Sequence, residues 1–466
     1  MLRGRMRLAS LLGPELDEIL ALDPDGVRDA FAEFHPEDIA ELLSELSDEK
    51  GLEILKALPA EISAEVIGRM PSDRQVTVFG DLDRETAVEV LSEMSPDDAV
   101  DMVQELSEVD AEVAIELIAD FARAEPEAAE ALRELATYEP ETAGGRMTTR
   151  YVSQEPETKV WEAIEHIREF GRERTTEWLY YVYIVGYGDR LLGVVSLRDL
   201  ILADPGQRLA EIMVEKVVRA TPSDDQEKVA TLIARYDLHA IPVVDEHEVM
   251  LGVVTVDDVV DVVIEEATED AQKMAGVVPL EDSYFATGLV ELGWKRGAWL
   301  VVLFIGQLLT ATVLEKNQKI LEGMVELVLF IPLIMSSGGN AGSQSSSLII
   351  RALAIGEVEP SDWIRIVGRE AIIGFGLGCF LALLGFVRAV LTAGEHGSPA
   401  LGFTVASSIV AIVTLASTVG SLLPLAIKRF GFDPAVSSTP LIASVVDVFG
   451  LIVYLSAAHA ILGLSN

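Results

Sequence analysis

From about residue 15 to about residue 135, apolar residues recur at three- and four-residue spacing in short blocks separated by about a dozen positions. The blocks HPEDIAELLSEL, LSDEKGLEILKALP, MPSDRQVTVFGDL, LDRETAVEVLSEM and MSPDDAVDMVQEL each carry Pro, Ser or Asp beside acidic residues near their start. Those residues cap and charge helix N-termini, so the pattern predicts short helices repeated as a solenoid. From Arg146 to Val263 the period changes, and an internal repeat emerges. Val182–Leu200 (VYIVGYGDRLLGVVSLRDL) matches Ile241–Val259 (IPVVDEHEVMLGVVTVDDV), with Gly193 against Gly252 and Asp199 against Asp258. A helical stretch precedes each copy, WEAIEHIREF in the first and QEKVATLIARYD in the second, which predicts strand, helix, two strands and helix used twice.

Beyond residue 290 polar positions become sparse. Five stretches carry almost no charge: Gly297–Leu314, Leu327–Ile350, Ala371–Val387, Gly397–Ile427 and Pro434–Asn466, the last interrupted only by Asp447. Each can cover about 30 Å of hydrocarbon at helical rise. Between the repeat and these spans, residues 262–293 read as an acidic helix followed by an amphipathic connector.

Charge follows the same division. The chain of 466 residues has a formal net charge of -41, with 65 Asp and Glu against 25 Lys and Arg up to residue 290, and 11 against 10 after it. So acidic a surface attracts divalent cations or simply aids solubility, and it argues against nucleic acid, whose phosphates need clustered Lys and Arg. The single cysteine, Cys379, lies in an apolar stretch and excludes a disulfide framework or a cysteine metal site. Lys295, Arg296, Arg351, Arg365, Arg369, Lys428 and Arg429 would flank the inner side if the N-terminus is cytosolic, against Lys316, Lys319 and Arg388 outside, favouring N-in and C-out.

Two intramembrane features carry chemistry. The stretch PLIMSSGGNAGSQSSSLIIRALAIGEV, Pro332 to Val358, has no lysine and so is no phosphate loop. It is expected either to loosen a helix and free carbonyls or to pack helices closely through small residues, with Asn340 and Gln344 weighing toward a polar pathway. Asp447 would cost about 2.5–3.5 kcal/mol at a helix centre, so it is expected to face away from lipid. A structural partner looks poorly supplied, because the nearest basic residues, Lys428 and Arg429, precede the span. A carboxylate with neighbouring carbonyls suits a hydrated magnesium ion, and a symmetric dimer would present two copies. In the cytosolic half, Asp258, Asp261, Glu265 and Glu269 recur at helical spacing and repel one another along one face. Divalent ions bridging that face to Asp237 or to the helical domain would relieve the repulsion; a solvated face is the plainer reading of each residue alone.

With these motifs in place, the chain resembles the MgtE magnesium transporters over essentially its whole length, through PLIMSSGGNAGSQSSSLIIRALA and PLIASVVDVFGLIVYLSAA above all. The resemblance implies a multi-domain membrane protein: an all-α cytosolic superhelical domain (1–140), an α+β CBS-domain pair (141–263), a connector or plug helix (264–293) and a five-helix transmembrane domain (294–466). It further implies a homodimeric, channel-like magnesium pathway in the plasma membrane, closed by cytosolic domains that sense Mg2+. The pore role falls on Asp447, with Thr439, Ala443 and Asn340 beside it; Thr439 stands where the family often has Asn. The sensing role falls on Glu65, Asp97 and Asp101, on Glu227 and Asp237, and on Asp258, Asp261, Glu266 and Glu269. Ser196, Arg198 and Asp199, with Thr255 in the second copy, resemble the CBS motif that holds a nucleotide ribose, which points either to ATP as a regulator or to a CBS pair serving only as scaffold. The alternative function is a non-conducting membrane receptor for nucleotide or divalent cation. No nucleophile–base set, zinc signature or phosphate loop marks an enzyme.

Overall fold

The computed structural model describes residues 19–20, 24–173, 179–280, 284, 287–392 and 399–463. The chain divides into two compact units, Met1–Glu265 and Glu266–Asn466.

In the first unit the described residues open with nine short helices, α1 Pro24–Phe31, α2 Pro36–Glu45, α3 Asp48–Ala57, α4 Ala60–Gly68, α5 Ser72–Gly80, α6 Arg84–Glu93, α7 Pro96–Val109, α8 Ala111–Ala124 and α9 Pro126–Leu135. Their starts are set as the sequence predicts. The side chains of Asp83, Ser95 and Asp110 accept backbone N–H groups at the starts of α6, α7 and α8, and proline occupies the first turn of α2, α7 and α9. No helix of about ten residues is stable alone, so packing must hold them. Each packs on the helix two further along, α1 on α3, α2 on α4 and so to α6 on α8, which winds the set into a superhelix around a shared apolar core.

The repeat follows as β1 Val152–Gln154, α10 Val160–Glu173, β2 Tyr181–Val185, β3 Leu191–Ser196, α11 Leu197–Leu202 and α12 Leu209–Ile212, then α13 Gln226–Tyr236, β4 Ala240–Val244, β5 Met250–Thr255 and α14 Val256–Met274. Both hairpins are antiparallel and shift register at the same place, after Ile184 and after Val243. The first copy has a full leading strand, β1, parallel to β2. In the second the predicted strand shrinks to an isolated parallel bridge, Ala220 to Val243. The second copy shares one core with the helical domain, through Val229, Ile233, Ile241, Val254, Val259 and Val262.

In the second unit, α15 Leu289–Lys316, α16 Gln318–Gly323, α17 Glu326–Ala354, α18 Trp363–Thr392, α19 Pro399–Arg429 and α20 Thr439–Leu462 follow the end of α14. Among the described residues four helices, spanning Leu289–Lys316, Pro360–Leu391, Pro399–Arg429 and Thr439–Leu462, are long and apolar enough to cross a membrane. The fifth expected span, α17, is equally long at 29 residues, but its polar centre, Ser336 to Ser347, sets it apart.

The helix α17 is unbroken, although Pro332 lies inside it. The expected loosening at the glycines is therefore corrected in favour of close packing. A Cβ on Gly338 would lie 2.5 Å from Ile412, and one on Gly342 would lie 2.9 Å from Ile442. With no side chain at those positions, α19 and α20 press directly on α17, which needs no open backbone. Hydroxyls of Ser337, Thr404, Ser408, Thr414 and Thr418 return to carbonyls one turn earlier in their own helices.

The tightest approach is Gly420, whose added Cβ would stand 2.2 Å from the Gly342 carbonyl oxygen. We expect Gly420→Ala to destabilise the membrane unit by about 1–3 kcal/mol, since backbone must move. Gly376, with nothing within 4 Å of its added Cβ, should accept alanine without loss. Thermal unfolding of the full chain in detergent, comparing both variants with the parent, checks the pair.

Candidate functional site

In the first unit, α2, α4, α7 and the start of α14 surround a cavity of about 360 Å³. Glu37, Glu61, Glu65, Glu93, Asp97, Asp98, Asp257, Asp258 and Asp261 line it, with only Arg69 and Arg150 as basic groups. Two helix N-termini supply the inner acids. Asp97 and Asp98 occupy the first turn of α7, and Asp257 and Asp258 the first turn of α14. The amide dipoles of those turns offset part of the repulsion.

The compensation is incomplete. Asp97 is 9 % exposed, and among the described residues its Oδ1 and that of Asp257 are buried without a hydrogen-bond partner. Burial, then repulsion from Asp98, pushes the Asp97 carboxyl up to about 7. Burial raises Asp101 to about 6, against the pull of Arg146. Burial, then Asp97 and Asp257, raises Asp258 well above the carboxylate range although Thr255 Oγ1 donates to it at 2.6 Å. Asp98 and Asp261 are raised as well, burial again leading. The two arginines are partly spent elsewhere: Arg150 donates to the Ser92 and Glu93 carbonyls at the end of α6, and Arg69 to the Glu65 carbonyl. Such a site favours protons or divalent cations. Among the described residues no three His, Cys, Asp or Glu are gathered into a ready metal-holding group, so direct chelation by three carboxylates would need side chains to move.

The structure thus brings Glu65, Asp97, Asp258 and Asp261 together, with Asp101 close beside them facing Glu265 and Arg146. It does not bring Glu227 or Asp237 to this cavity. Glu227 is exposed in the first turn of α13, and exposed Asp237 ends that helix at φ 50. The face Asp258–Asp261–Glu265–Glu269 is also divided, because Arg146 Nη2 meets Glu265 at 2.8 Å and Lys273 Nζ meets Glu269 at 2.7 Å. Glu266 and Glu269 belong to the second unit, the division falling within α14. Glu37, Glu61, Asp98 and Asp257 go unnoticed in the sequence because acids in a first helical turn have an ordinary capping explanation; the paired Asp97–Asp98 and Asp257–Asp258 doublets are the available signal.

The nucleotide motif closes on itself. Ser196 Oγ lies 2.6 Å from Asp199 Oδ2 and accepts the Asp199 N–H, as a cap of α11, while Arg198 is exposed. Thr255 and Asp258 repeat the hydroxyl–carboxylate pair.

In the second unit, Thr439, Ala443 and Asp447 share one face of α20 at four-residue spacing. A Cβ on Gly339 would touch Ala443 at 3.6 Å, which sets α17 against this face, and Ser343 Oγ donates to the Thr439 carbonyl at 3.4 Å. Asn340 is exposed, its amide a long 3.5 Å from Ser336 Oγ. Asp447 accepts a 3.0 Å hydrogen bond from Gln307 Nε2 of α15. The expectation that a neighbouring helix supplies no partner is corrected: Gln307, the one amide side chain in the Gly297–Leu314 stretch, does so.

These features define a multi-domain membrane protein that joins an acidic helical domain and a CBS pair to a unit of long apolar helices. Residues 331–457 match the family model MgtE, a divalent cation transporter, residues 34–141 the MgtE intracellular N domain, and residues 145–206 and 209–265 the CBS domain. The chain is 42 % identical to the magnesium transporter MgtE of Thermus thermophilus over 350 residues, 74 % of each chain. It is 34 % identical to that of Bacillus subtilis over 330 residues, 71 % of this chain and 72 % of the relative. A crystal structure of the cytosolic domain of the Mg2+ channel MgtE in complex with ATP superposes with a TM-score of 0.51 at 38 % identity, covering 55 % of this chain and 100 % of that one. The chain belongs to the MgtE family.

The acidic cavity has a pH signature. Folded Asp97 and Asp101 hold protons at pH values where the unfolded chain, near the ordinary 3.8, has lost them. The stability of the first unit should therefore rise as pH falls from about 7 toward 4 in metal-free buffer. Asp97→Asn should raise stability at pH 8 and flatten that slope, as read by thermal unfolding of the full chain across pH.

Proposed function

We propose that this chain transports magnesium through a homodimeric, channel-like pathway that cytosolic Mg2+ closes. One observation carries the reading: Asp447 holds a carboxylate within an apolar helix, and its hydrogen-bond donor is the neutral Gln307 amide. Among the described residues no ion pair to Asp447 occurs, so a cation is its natural complement. Asp447 recognises the hydrated ion, and the Thr439 and Ala443 carbonyls and the Asn340 amide form its polar surroundings. Magnesium exchanges inner waters reluctantly, so one carboxylate from each of two chains with intervening water suits it.

The acidic cavity serves as the sensor. Glu65, Asp97, Asp101, Asp258 and Asp261 attract Mg2+ into a space where their charges repel, and binding draws α7 and α14 together. Glu227, Asp237, Glu266 and Glu269 extend the acidic surface available to further ions. When magnesium is scarce the repulsion separates these faces, and α14, the connector, releases the pathway. ATP binding at Ser196, Arg198, Asp199 and Thr255 would modulate the sensor; the bound ATP in the similar cytosolic domain supports this. The proposed division is 1–140, 141–263, 264–293 and 294–466, with five spans counting α17, the N-terminus cytosolic and the C-terminus outside the plasma membrane. Transport without chemistry on the ion needs no catalytic set and no nucleic acid.

Cation uptake into liposomes carrying the purified chain tests the pathway. The parent should admit Mg2+ at low internal magnesium, and Asp447→Asn should fall to near the rate of empty liposomes. Unchanged uptake in the variant would remove Asp447 from the pathway, whereas a parent that binds Mg2+ but conducts nothing would mark a receptor. For the sensor, Mg2+ should protect residues 258–269 from protease; cleavage equal with and without the ion would refute it.

A further inference from the structure

Two faces of opposite character run along α18. On one, Ile366, Gly374, Gly378, Ala382 and Gly385 are buried. An added Cβ would lie 2.9 Å from Val410 Cα at Gly378 and 2.5 Å from Ile409 Cδ1 at Gly385, so this face is pressed against α19. The other face reads Arg365, Arg369, Ile372, Gly376, Phe380 and Leu383, three or four residues apart, and all six are exposed. Ile372 is 75 % exposed, Phe380 64 % and Leu383 62 %, and an added Cβ on Gly376 would meet nothing within 4 Å. An apolar stripe with a notch in it therefore follows a membrane helix and ends in two cations.

Those cations have no counter-charge in the protein. Among the described residues neither Arg365 nor Arg369 forms an ion pair or a hydrogen bond, in a chain whose formal net charge is -41. Of the acids nearest in sequence, Glu359 and Asp362 accept each other's backbone N–H groups around the single turn Pro360–Asp362, and Glu370 Oε2 accepts from Ser345 Oγ at 2.7 Å. Exposed Arg429 stands at the same end of the unit, one turn past Leu425, which shares a small apolar cluster with Ile366. Exposed Phe430 and Phe432 follow it, as suits the depth where hydrocarbon meets headgroups. A pair of guanidinium groups offers a phosphate a fork of donors, and an exposed apolar stripe beyond it offers an acyl chain a surface. We propose that this face binds an anionic phospholipid, its phosphate on Arg365 and Arg369 and a chain along Ile372, Gly376 and Phe380. A free phosphate would use the arginines and leave the stripe unexplained. The site concerns the lipid-facing surface and does not depend on how the ion crosses.

A tryptophan placed on the stripe of the full chain, Ile372→Trp, reports the lipid beside it. Its fluorescence is measured in bilayers containing brominated phosphatidylglycerol or, at the same fraction, brominated phosphatidylcholine, and the parent's signal is subtracted to remove the native tryptophans. Phosphatidylglycerol should quench the added tryptophan more strongly. Replacing Arg365 and Arg369 by Gln in that background should lower the preference by about fivefold per arginine, whereas Lys at both positions should keep most of it. Quenching by phosphatidylcholine should be unchanged in all variants, which shows that the helix is still folded and facing lipid. Lys316→Gln, at the other end of the membrane unit, should leave the preference intact. Equal quenching by the two lipids, or a preference that survives loss of both arginines, would overturn the site. Loss of the preference on adding free glycerol phosphate would assign the arginines to a soluble phosphate, and quenching by neither lipid would place a second protein copy on this face; either result overturns the proposal.

Discussion

Carboxylate charge held away from bulk water is the constraint on which this structure turns. In the first unit it is concentrated where two acid-rich helix starts face one cavity, and Asp97 and Asp257 each bury an oxygen without a hydrogen-bond donor among the described residues. In the second unit Asp447 and Glu370 lie on apolar helices, each accepting one hydrogen bond from a neutral side chain, Gln307 and Ser345. Desolvation makes an unpaired charge expensive, and low dielectric makes any partner correspondingly effective. Helix dipoles and a few arginines reduce the cost without removing it. The remainder is free energy that a bound cation would recover.

Some other acids are compensated internally, and the contrast is informative. Glu265 has Arg146, while Glu269 and Asp433 share Lys273. Burial alone would lower the Lys273 pKa, yet its two hydrogen-bonded carboxylates outweigh burial and raise it. Along one acidic helix, then, Asp257 and Asp258 line the cavity, while Glu265 and Glu269 each meet a basic side chain. In the membrane unit, the small residues of α17 serve contact: Gly338 and Gly342 admit Ile412 and Ile442, and Gly342 meets Gly420 backbone to backbone.

Local rules were legible wherever a short-range interaction decided the outcome. Ser95, Asp83 and Asp110 start helices because their side chains reach amides two or three residues on. The hairpin repeat was visible because both copies bury the same alternation and bulge at the same place. Asp447 stood out because charge is costly in an apolar run. The glycine-rich stretch misled, because composition records small residues without recording what fills the space beside them. Gln307 was passed over because one amide in a span has no visible partner until two helices are side by side.

The sequence by itself determined the order of domains, the apolar helices, the segregation of negative charge and the family, since each depends on composition, periodicity or motif within a local window. Only the tertiary structure decided which acids share a cavity and which are neutralised. It placed Asp97 with Asp258, Glu265 with Arg146 and Lys273 with Asp433, pairs separated by more than a hundred residues. Coulomb energy depends on distance and on surrounding dielectric, and neither is written along the chain until packing sets both.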